Sequence, residues 1–439
     1  MDVADPLIDL LDQAVREADP PRLAVALSGG LDSSALAHAL SRSVEARRRG
    51  LRAIHVDHGL HAEAACWSAQ VAEDCRRWSI PFLGLRCEVA RDSGLGIEAA
   101  AREARYAALA RALLPGEWLA LAHHRDDQAE TVLLRLLRGA GTAALGGMRA
   151  TRPLGPGMLW RPLLDVPRDA LHAYATVQRL RWIEDPSNTD PRHDRSWLRR
   201  QVMPLLTQRW PQASAGIARS AGLLRADGDL LADQAQAALT AVRGETDTTL
   251  RISALRALSP ALRAHALRAW LRECAADPLP GRLHDALEHL LQDDNPDGQP
   301  LLRWRGSVLR RHRDRLHLEA LDHAPAALAE TLQWDGCAPL ILPDGGSLRF
   351  QPALSAPADF RVGTRQGGER IRLPGRRHRH RLKHVLQDSG LPPWQRSRLP
   401  LLWRDGELLA AGDQLLSDAM QDWLAREGRR YVWMPPLKS

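Results

Sequence analysis

Leu27-Ser28-Gly29-Gly30-Leu31-Asp32-Ser33-Ser34 stands between a short apolar run at residues 22–27 and a helical stretch at 33–49. A strand that turns through two glycines into a helix brings backbone N–H groups and the positive end of the helix dipole to one point. Glycine lets that backbone approach a phosphate without Cβ interference. Ser28, Ser33 and Ser34 add hydroxyl donors. No Gly-Lys-Ser/Thr closes the loop, so it is not a Walker A loop. Asp32 is the odd member. A carboxylate beside phosphate repels it unless a cation lies between, which predicts Mg²⁺ bridging Asp32 and a polyphosphate. Helix capping by Ser28 and Asp32 alone would need neither two glycines nor three serines. The candidate polyphosphate-binding residues are therefore Ser28, Gly29, Gly30, Leu31, Asp32 and Ser33, with Asp32 as the metal ligand.

Outward from this loop, strand and helix signals alternate. Apolar runs recur at 51–56, 81–89 and 118–122, with a helical stretch at 97–114 whose apolar residues fall at 97, 101, 104, 108 and 109. This spacing reads as an α/β domain with a parallel sheet covered on both faces. From about residue 213 the pattern changes to alanine- and leucine-rich helices, at 214–242 and 253–275, punctuated by Pro260, Pro278 and Pro280. A hairpin with Gly306 near its turn is expected within 301–320. Beyond about 331 the chain is rich in strand and turn signals. The expected domains are 1–212, parallel-sheet α/β; 213–325, mainly helical; and 326–439, a small α+β domain.

The chain has 439 residues, 44% hydrophobic and 26% charged, which excludes disordered, fibrous and collagenous classes. No apolar run approaches the roughly 18–20 residues of a membrane span. The start, Met1-Asp2-Val3-Ala4-Asp5, is acidic and no apolar stretch follows it, so a cytoplasmic protein that does not engage a membrane is expected. Five cysteines, none in a C-x-x-C pair, read as reduced and mostly buried thiols; zinc ribbons and iron–sulfur sites lack their ligand pairs.

The net charge is +7, and 58 of the 60 basic residues are arginine, whose planar fork suits phosphate. The charge is uneven. Between Arg365 and Arg398 ten basic residues face only Glu369 and Asp388, a net of +8, so the rest of the chain sums to −1. A compositional bias toward arginine would spread evenly. This block, with Arg370, Arg376, Lys383 and Arg396, is the footprint of a phosphate backbone. Of the fourteen tryptophans, most are expected in the core, and none is singled out for base stacking.

Ser-Gly-Gly-x-Asp-Ser after a first strand resembles the pyrophosphate loop of the N-type ATP pyrophosphatases, the PP-loop superfamily. Further stretches choose within it: His55-Val56-Asp57-His58-Gly59-Leu60 at the end of the second strand, His123-His124-Arg125-Asp126-Asp127-Gln128-Ala129-Glu130-Thr131 after the fourth, and Asp185-Pro186-Ser187-Asn188 before Arg195-Ser196-Trp197-Leu198-Arg199. These are similar, in order, to motifs of the tRNA(Ile)-lysidine synthetase family. Leu137 to Gly141, Arg161-Pro162-Leu163-Leu164, Gly368-Glu369-Arg370, Gly375-Arg376, Leu382-Lys383 and Pro392-Pro393-Trp394 extend the likeness over nearly the whole chain. One departure is visible: the family usually shows Arg-Asn where this chain has Arg195-Ser196, and a hydroxyl lacks the amide's bidentate capacity.

The resemblance implies an ATP-dependent ligase that joins free L-lysine to carbon 2 of the wobble cytidine in tRNA(Ile) bearing a CAU anticodon. ATP first activates the C2 oxygen as an adenylate, with Mg²⁺ as the metal, and the lysine amine then displaces AMP. Oligomeric state stays open, a homodimer included. Asp127 and Glu130, three apart at a helix start, share a face and with Asp126 are candidates to hold the lysine ammonium or a second side of the metal; with Asp32 they form the candidate catalytic set. First-turn acids that merely suit the helix dipole are the alternative. His123 and His124 cannot both face inward from a strand end, so one is structural; a metal held by His123 and Asp127 is a minor alternative. Asp57 and His58 end a strand on the edge where such sheets bind ligands and are candidate adenylate-pocket residues. Arg195 and Arg199, at i and i+4, are candidates for the tRNA backbone or the AMP phosphate. Two rival readings remain: a tRNA thiolase, disfavoured by the missing C-x-x-C, and a catalytically idle tRNA-binding module, disfavoured by the intact loop and acidic string.

Overall fold

The computed structural model describes residues 5–57, 59, 63–88, 97–184, 194–292, 300–320 and 331–434. It forms two compact units, residues 1–231 and 232–439. The first unit runs α1 (Pro6–Ala18), β1 (Arg22–Ala26), α2 (Leu31–Arg42), α3 (Val44–Arg48), β2 (Arg52–Asp57), α4 (Ala64–Arg77), β3 (Phe82–Arg86), α5 (Ile97–Ala112), β4 (Glu117–Ala120), α6 (Arg125–Leu137), α7 (Thr142–Leu145), β5 (Thr151–Leu154), β6 (Gly157–Trp160) and α8 (Arg168–Val177). Then come α9 (Asp194–Trp197), a π-helical turn (Leu198–Val202), α10 (Met203–Arg209) and α11 (Ala213–Val242), whose later part falls in the second unit. The expected boundary near 212 falls between α10 and α11; the one near 325 lies outside the described residues.

The six strands lie in the order β3-β2-β1-β4-β6-β5. Alternate residues of β1 explain the two covered faces. Leu23 and Val25 pack with Leu11, Val15, Leu36 and Leu40 of α1 and α2. Ala24 points the other way, to Ile54, Leu109, Leu119 and Leu159. Both sides are apolar because a parallel sheet is buried on both faces. The neighbours of β1 are β2 on one side and β4 on the other, both parallel to it. Strand order reverses there, and such a switch point opens a crevice beyond the carboxyl ends of the strands.

The four strands read from the sequence are parallel, as expected; β5, antiparallel to β6, adds a mixed edge that the reading did not include. Gly155, at φ +54°, makes that turn, and Pro153 is tolerated on the edge strand. Two expectations are corrected. The helical stretch at 33–49 splits at Ser43, whose hydroxyl caps α3 by accepting from the Ala46 N–H. Only Cys75 and Cys87 of the five free cysteines are buried; Cys66 is exposed.

The second unit continues with β7 (Thr249–Arg251), α12 (Ile252–Ala257), α13 (Pro260–Glu273), α14 (His284–Gln292), β8 (Leu301–Trp304), β9 (Ser307–His312) and β10 (Arg315–Ala320). Pro260 starts α13 at its first turn, so the helical stretch at 253–275 divides where that proline punctuates it. The region expected as mainly helical also carries an antiparallel sheet, β7-β10-β9-β8, and the expected hairpin is three-stranded. Fully buried Trp270 sits in its core.

The remaining elements are β11 (Leu332–Trp334), β12 (Leu340–Ile341), β13 (Ser347–Gln351), β14 (Phe360–Gly363), β15 (Arg370–Ile371), β16 (His380–Arg381), α15 (Leu382–Asp388), α16 (Pro393–Arg396), β17 (Leu401–Arg404), β18 (Glu407–Ala411), β19 (Leu415–Leu416), α17 (Asp418–Glu427) and β20 (Arg430–Met434). A five-stranded sheet, β11-β14-β17-β18-β19, and a three-stranded one, β12-β13-β20, share an aromatic core of Trp334, Phe350, Phe360 and Tyr431. No helix among the described residues is long and apolar enough to cross a membrane.

Candidate active site

The loop after β1 stands at the switch point, between the carboxyl ends of β2 and β4. Gly30 is the N-cap of α2 and no side chain caps that helix, so its first-turn N–H groups are left for a ligand. The serines chiefly hold the loop itself. Ser33 Oγ donates to Gly30 O at 3.0 Å and lies 2.9 Å from Ser28 Oγ; Ser34 Oγ donates to Gly29 O at 3.3 Å. Buried His55 carries the loop's start, its Nδ1 lying 2.8 Å from Leu27 O.

Gly29 has φ +89°, and a Cβ there would lie 2.5 Å from Ile183 Cδ1 and 2.9 Å from Val71 Cγ2. Ile183 N–H also donates to Gly29 O at 2.9 Å. Gly29→Ala is expected to shift this cradle and raise the KM for ATP roughly tenfold, since a left-handed conformation costs a side-chain-bearing residue about 1–2 kcal/mol. Steady-state pyrophosphate release against ATP concentration checks it.

Asp32 lies in the first turn of α2. Its Oδ1 is buried without a hydrogen-bond partner, 3.5 Å from Arg168 Nε, and its Oδ2 lies 3.7 Å from His124 Nε2. An unpartnered buried carboxylate oxygen beside an uncapped helix start fits a cation held jointly with phosphate. Among the described residues no group of three or more His, Cys, Asp and Glu could hold a metal ion. Asp32 would be one protein ligand, with phosphate oxygens and water completing the shell, as magnesium prefers.

His124 is fully buried and caps α6: its Nδ1 accepts from the Asp127 N–H, while its own N–H donates to Asp127 Oδ2 at 3.1 Å. With Nδ1 accepting, Nε2 carries the proton; it is unpartnered, 3.4 Å from Asp127 Oδ2. His123 accepts at Nδ1 from Arg161 Nε, at 3.1 Å. Burial, joined by Arg161 and Arg195, pulls its pKa down to about 3, so it is neutral.

Asp127 and Glu130 find each other's neighbours in Arg195 and Arg199. Glu130, 1% exposed, accepts from Arg195 Nε at 2.9 Å and from Arg199 Nε at 2.6 Å. Asp127 Oδ1 accepts from both guanidinium groups, at 3.1 and 2.8 Å. Burial would raise the Asp127 pKa, but the adjoining His124 imidazole and the charges of Arg195 and Arg199 hold it below the usual carboxylate value. Burial would likewise lower Arg199, yet Glu130 and Asp127 hold it above its ordinary value. The candidate acids and two of the candidate tRNA arginines thus form one network. Asp126 is bound elsewhere: it accepts from the Arg168 N–H, starting α8, and from Ser214 Oγ. Asp57 closes a turn by accepting from the Gly59 N–H at 2.7 Å. His58 and Asp185 to Asn188 lie outside the described residues.

Arg161 and Gln128 entered the sequence reading only as members of longer motifs, with no role given, and Arg168 was not singled out. Gln128 pairs with the backbone of Met148 in both directions, at 2.9 and 2.6 Å. Its place inside the acidic string was the available signal; Arg168 had none. In the second unit, Arg370, Arg376 and Lys383 are exposed and Arg396 is half-buried. Arg370 pairs with Arg381 across the short β15–β16 ribbon, anchored by buried Ile371 and Leu382.

Comparison with known proteins places the chain as a whole. Family models match three stretches: a PP-loop domain at residues 5–206, a TilS substrate binding domain at 250–317, and a TilS substrate C-terminal domain at 360–433. A tRNA(Ile)-lysidine synthase of Xanthomonas campestris pv. campestris (strain 8004) is 49% identical over 95% of this chain and 96% of its own. The chain belongs to the tRNA(Ile)-lysidine synthase family. The family's enzyme from Xanthomonas axonopodis pv. citri (strain 306) is 50% identical over 95% of each chain. That of Pseudomonas aeruginosa is 42% identical over 94% of each. Among solved structures, the U34-tRNA thiolase NcsA from Methanococcus maripaludis aligns at a TM-score of 0.41 and 21% identity, over 50% of this chain and 78% of that one.

Proposed function

We propose that this chain ligates free L-lysine to carbon 2 of the wobble cytidine of tRNA(Ile) bearing CAU, at the expense of ATP. The uncapped start of α2 beside Asp32 Oδ1, which is buried without a hydrogen-bond partner, carries this reading, because it suits a polyphosphate with its cation. The cytidine C2 oxygen attacks the α-phosphorus of ATP, forming a C2–O–AMP bond and releasing pyrophosphate. The lysine amine then attacks C2, and the C–O bond breaks to release AMP. Mg²⁺ held by Asp32 would neutralise charge on the phosphates. The loop N–H groups orient the pyrophosphate.

Lysine arrives as an ammonium with a reference pKa near 10.4 and must lose a proton to attack. Asp127 and Glu130 are the residues to bind it. Their present partners are guanidinium groups, which supports a pocket that selects positive charge. Arg195 and Arg199, about one-third exposed on a short helix and a π-helical turn, are placed to exchange that role for phosphate. Chemistry is assigned to residues 1–212 and tRNA contact to 213–325 and 326–439. The decisive experiment incubates the protein with ATP, lysine and tRNA(Ile) bearing CAU, followed by nucleoside mass analysis. Lysidine with AMP and pyrophosphate is expected; ADP release would refute adenylation, and sulfur in the tRNA would favour a thiolase.

The basic block carries its own prediction. Replacing Arg370, Arg376, Lys383 and Arg396 together by Gln should weaken tRNA binding and lower the slope of log K against log salt by roughly 3, since each phosphate contact contributes about 0.7–0.9. ATP affinity should not change. Titrations of labelled tRNA at several salt concentrations check it; an unaltered slope would place the clamp elsewhere.

A further inference from the structure

A second basic feature lies in the first unit. Tyr106 of α5 is ringed by guanidinium groups: Arg102 at 5.2 Å, Arg105 at 5.8 Å and Arg152 at 5.1 Å from its centroid. Arg102 Nη2 also lies 3.5 Å from the Tyr106 hydroxyl. Arg161, 6% exposed, joins them from the end of β6 and donates to His123 beside the acidic network. Three separate elements, α5, β5 and the segment after β6, therefore bring four arginines to one tyrosine.

Their partners are unusual. Several other arginines of this unit are matched by acids: Arg52 by Glu117, Arg149 by Asp229, Arg195 and Arg199 by Asp127 and Glu130. None of the four around Tyr106 meets a carboxylate among the described residues. A neutral ring holds guanidinium groups by cation–π attraction without cancelling their charge. Arg161 spends its donors on His123 and the Arg149 carbonyl and braces the cluster, while the in-plane N–H donors of exposed Arg102 and Arg152 face solvent, where an anion can meet them. Burial lowers the Arg105 and Arg161 pKa values, and neighbouring arginines lower them further, a cost an incoming anion would relieve. Other titratable groups nearby do not supply that anion: His123 is neutral, and Cys87, beside Arg105, is a thiol pushed up by burial and by Asp57.

We propose that Arg102, Arg105, Arg152 and Arg161, held on Tyr106, form a phosphodiester clamp that seats the RNA backbone next to the reacting nucleotide. This rests on the function proposed above. Polyphosphate already has its own site at the start of α2, and exposed Arg102 and Arg152 face solvent, where a polynucleotide can run past. The clamp is distinct from the basic block of the second unit: it positions one stretch of RNA at the chemistry.

The test uses the full-length protein with Arg102→Gln/Arg152→Gln, two exposed positions whose loss leaves the core intact. The Kd for tRNA(Ile) bearing CAU should rise about tenfold or more, and the salt slope should fall by about 1.4, two single-strand contacts at roughly 0.7 each. Affinity for a fluorescent ATP analogue should be unchanged. Tyr106→Phe should behave as wild type and Tyr106→Leu as the double variant, separating the ring from the hydroxyl. Unchanged tRNA affinity and slope in the double variant would overturn the clamp. Weakened nucleotide binding with unchanged tRNA binding would overturn it in favour of a polyphosphate subsite. Binding is read without turnover, so a wild type that makes no lysidine but shows these shifts would sink the proposed function and leave the clamp standing.

Discussion

Asp32→Asn should stop adenylation while leaving the fold in place. The replacement is isosteric, and Asp32 Oδ1 has no hydrogen-bond partner to lose. Its two nearest side-chain donors, Arg168 Nε at 3.5 Å and His124 Nε2 at 3.7 Å, lie beyond good hydrogen-bond range, so their loss costs little stability. The carboxylate's charge is another matter. Without it the phosphates lose the protein ligand of their cation, an effect of several kcal/mol on the transition state. Pyrophosphate release should fall by roughly 10³-fold, about 4 kcal/mol at 1.36 kcal/mol per decade. The thermal midpoint should stay within a degree or two. Turnover near normal, with unchanged magnesium dependence, would remove Asp32 from the metal.

How far the sequence reaches is clear from particular residues. The loop at 27–34 was legible because its chemistry is local: strand end, glycine pair and helix start are contiguous. The strands flanking it were legible because apolar runs of five or six residues mark a sheet buried on both faces. The β5–β6 hairpin was not, since Pro153 and Gly157 interrupt its apolar pattern and its register depends on a sheet edge. The helix break at Ser43 was a capping serine inside an otherwise continuous pattern. Hardest to read was the pairing of Arg195 and Arg199 with Glu130, across 65 and 69 residues of chain. Spacing shows that Asp127 and Glu130 share a face, and that Arg195 and Arg199 share another. Nothing local shows that the two faces meet. The Tyr106 cluster is the same case, since cation–π pairs leave no periodic trace.

That pairing predicts the second large effect. Glu130 is essentially buried and accepts from Arg195 Nε, Arg199 Nε and Arg199 Nη2. Glu130→Ala leaves two guanidinium groups sharing only Asp127, in a site where solvent compensates little. Breaking a buried pair by removing one partner costs about 3–5 kcal/mol. For a unit of this size the thermal midpoint should drop by roughly 10 °C, at about 2–4 °C per kcal/mol. Asp127 adds an acid limit. Its folded pKa is depressed, so its contribution is present above the unfolded value of 3.8 and is lost as pH falls through the folded one. Stability and chemistry can be separated by removing charge from both sides. Glu130→Leu with Arg199→Met replaces a buried pair with apolar side chains, a change that is often neutral. The double variant should recover much of the lost midpoint, measured calorimetrically against each single variant as a double-mutant cycle. It should not recover lysidine formation, because the pocket for the ammonium has lost its carboxylate. Recovery of both would mean that the network only braces the fold; recovery of stability alone assigns the Glu130–Arg199 pair to substrate binding.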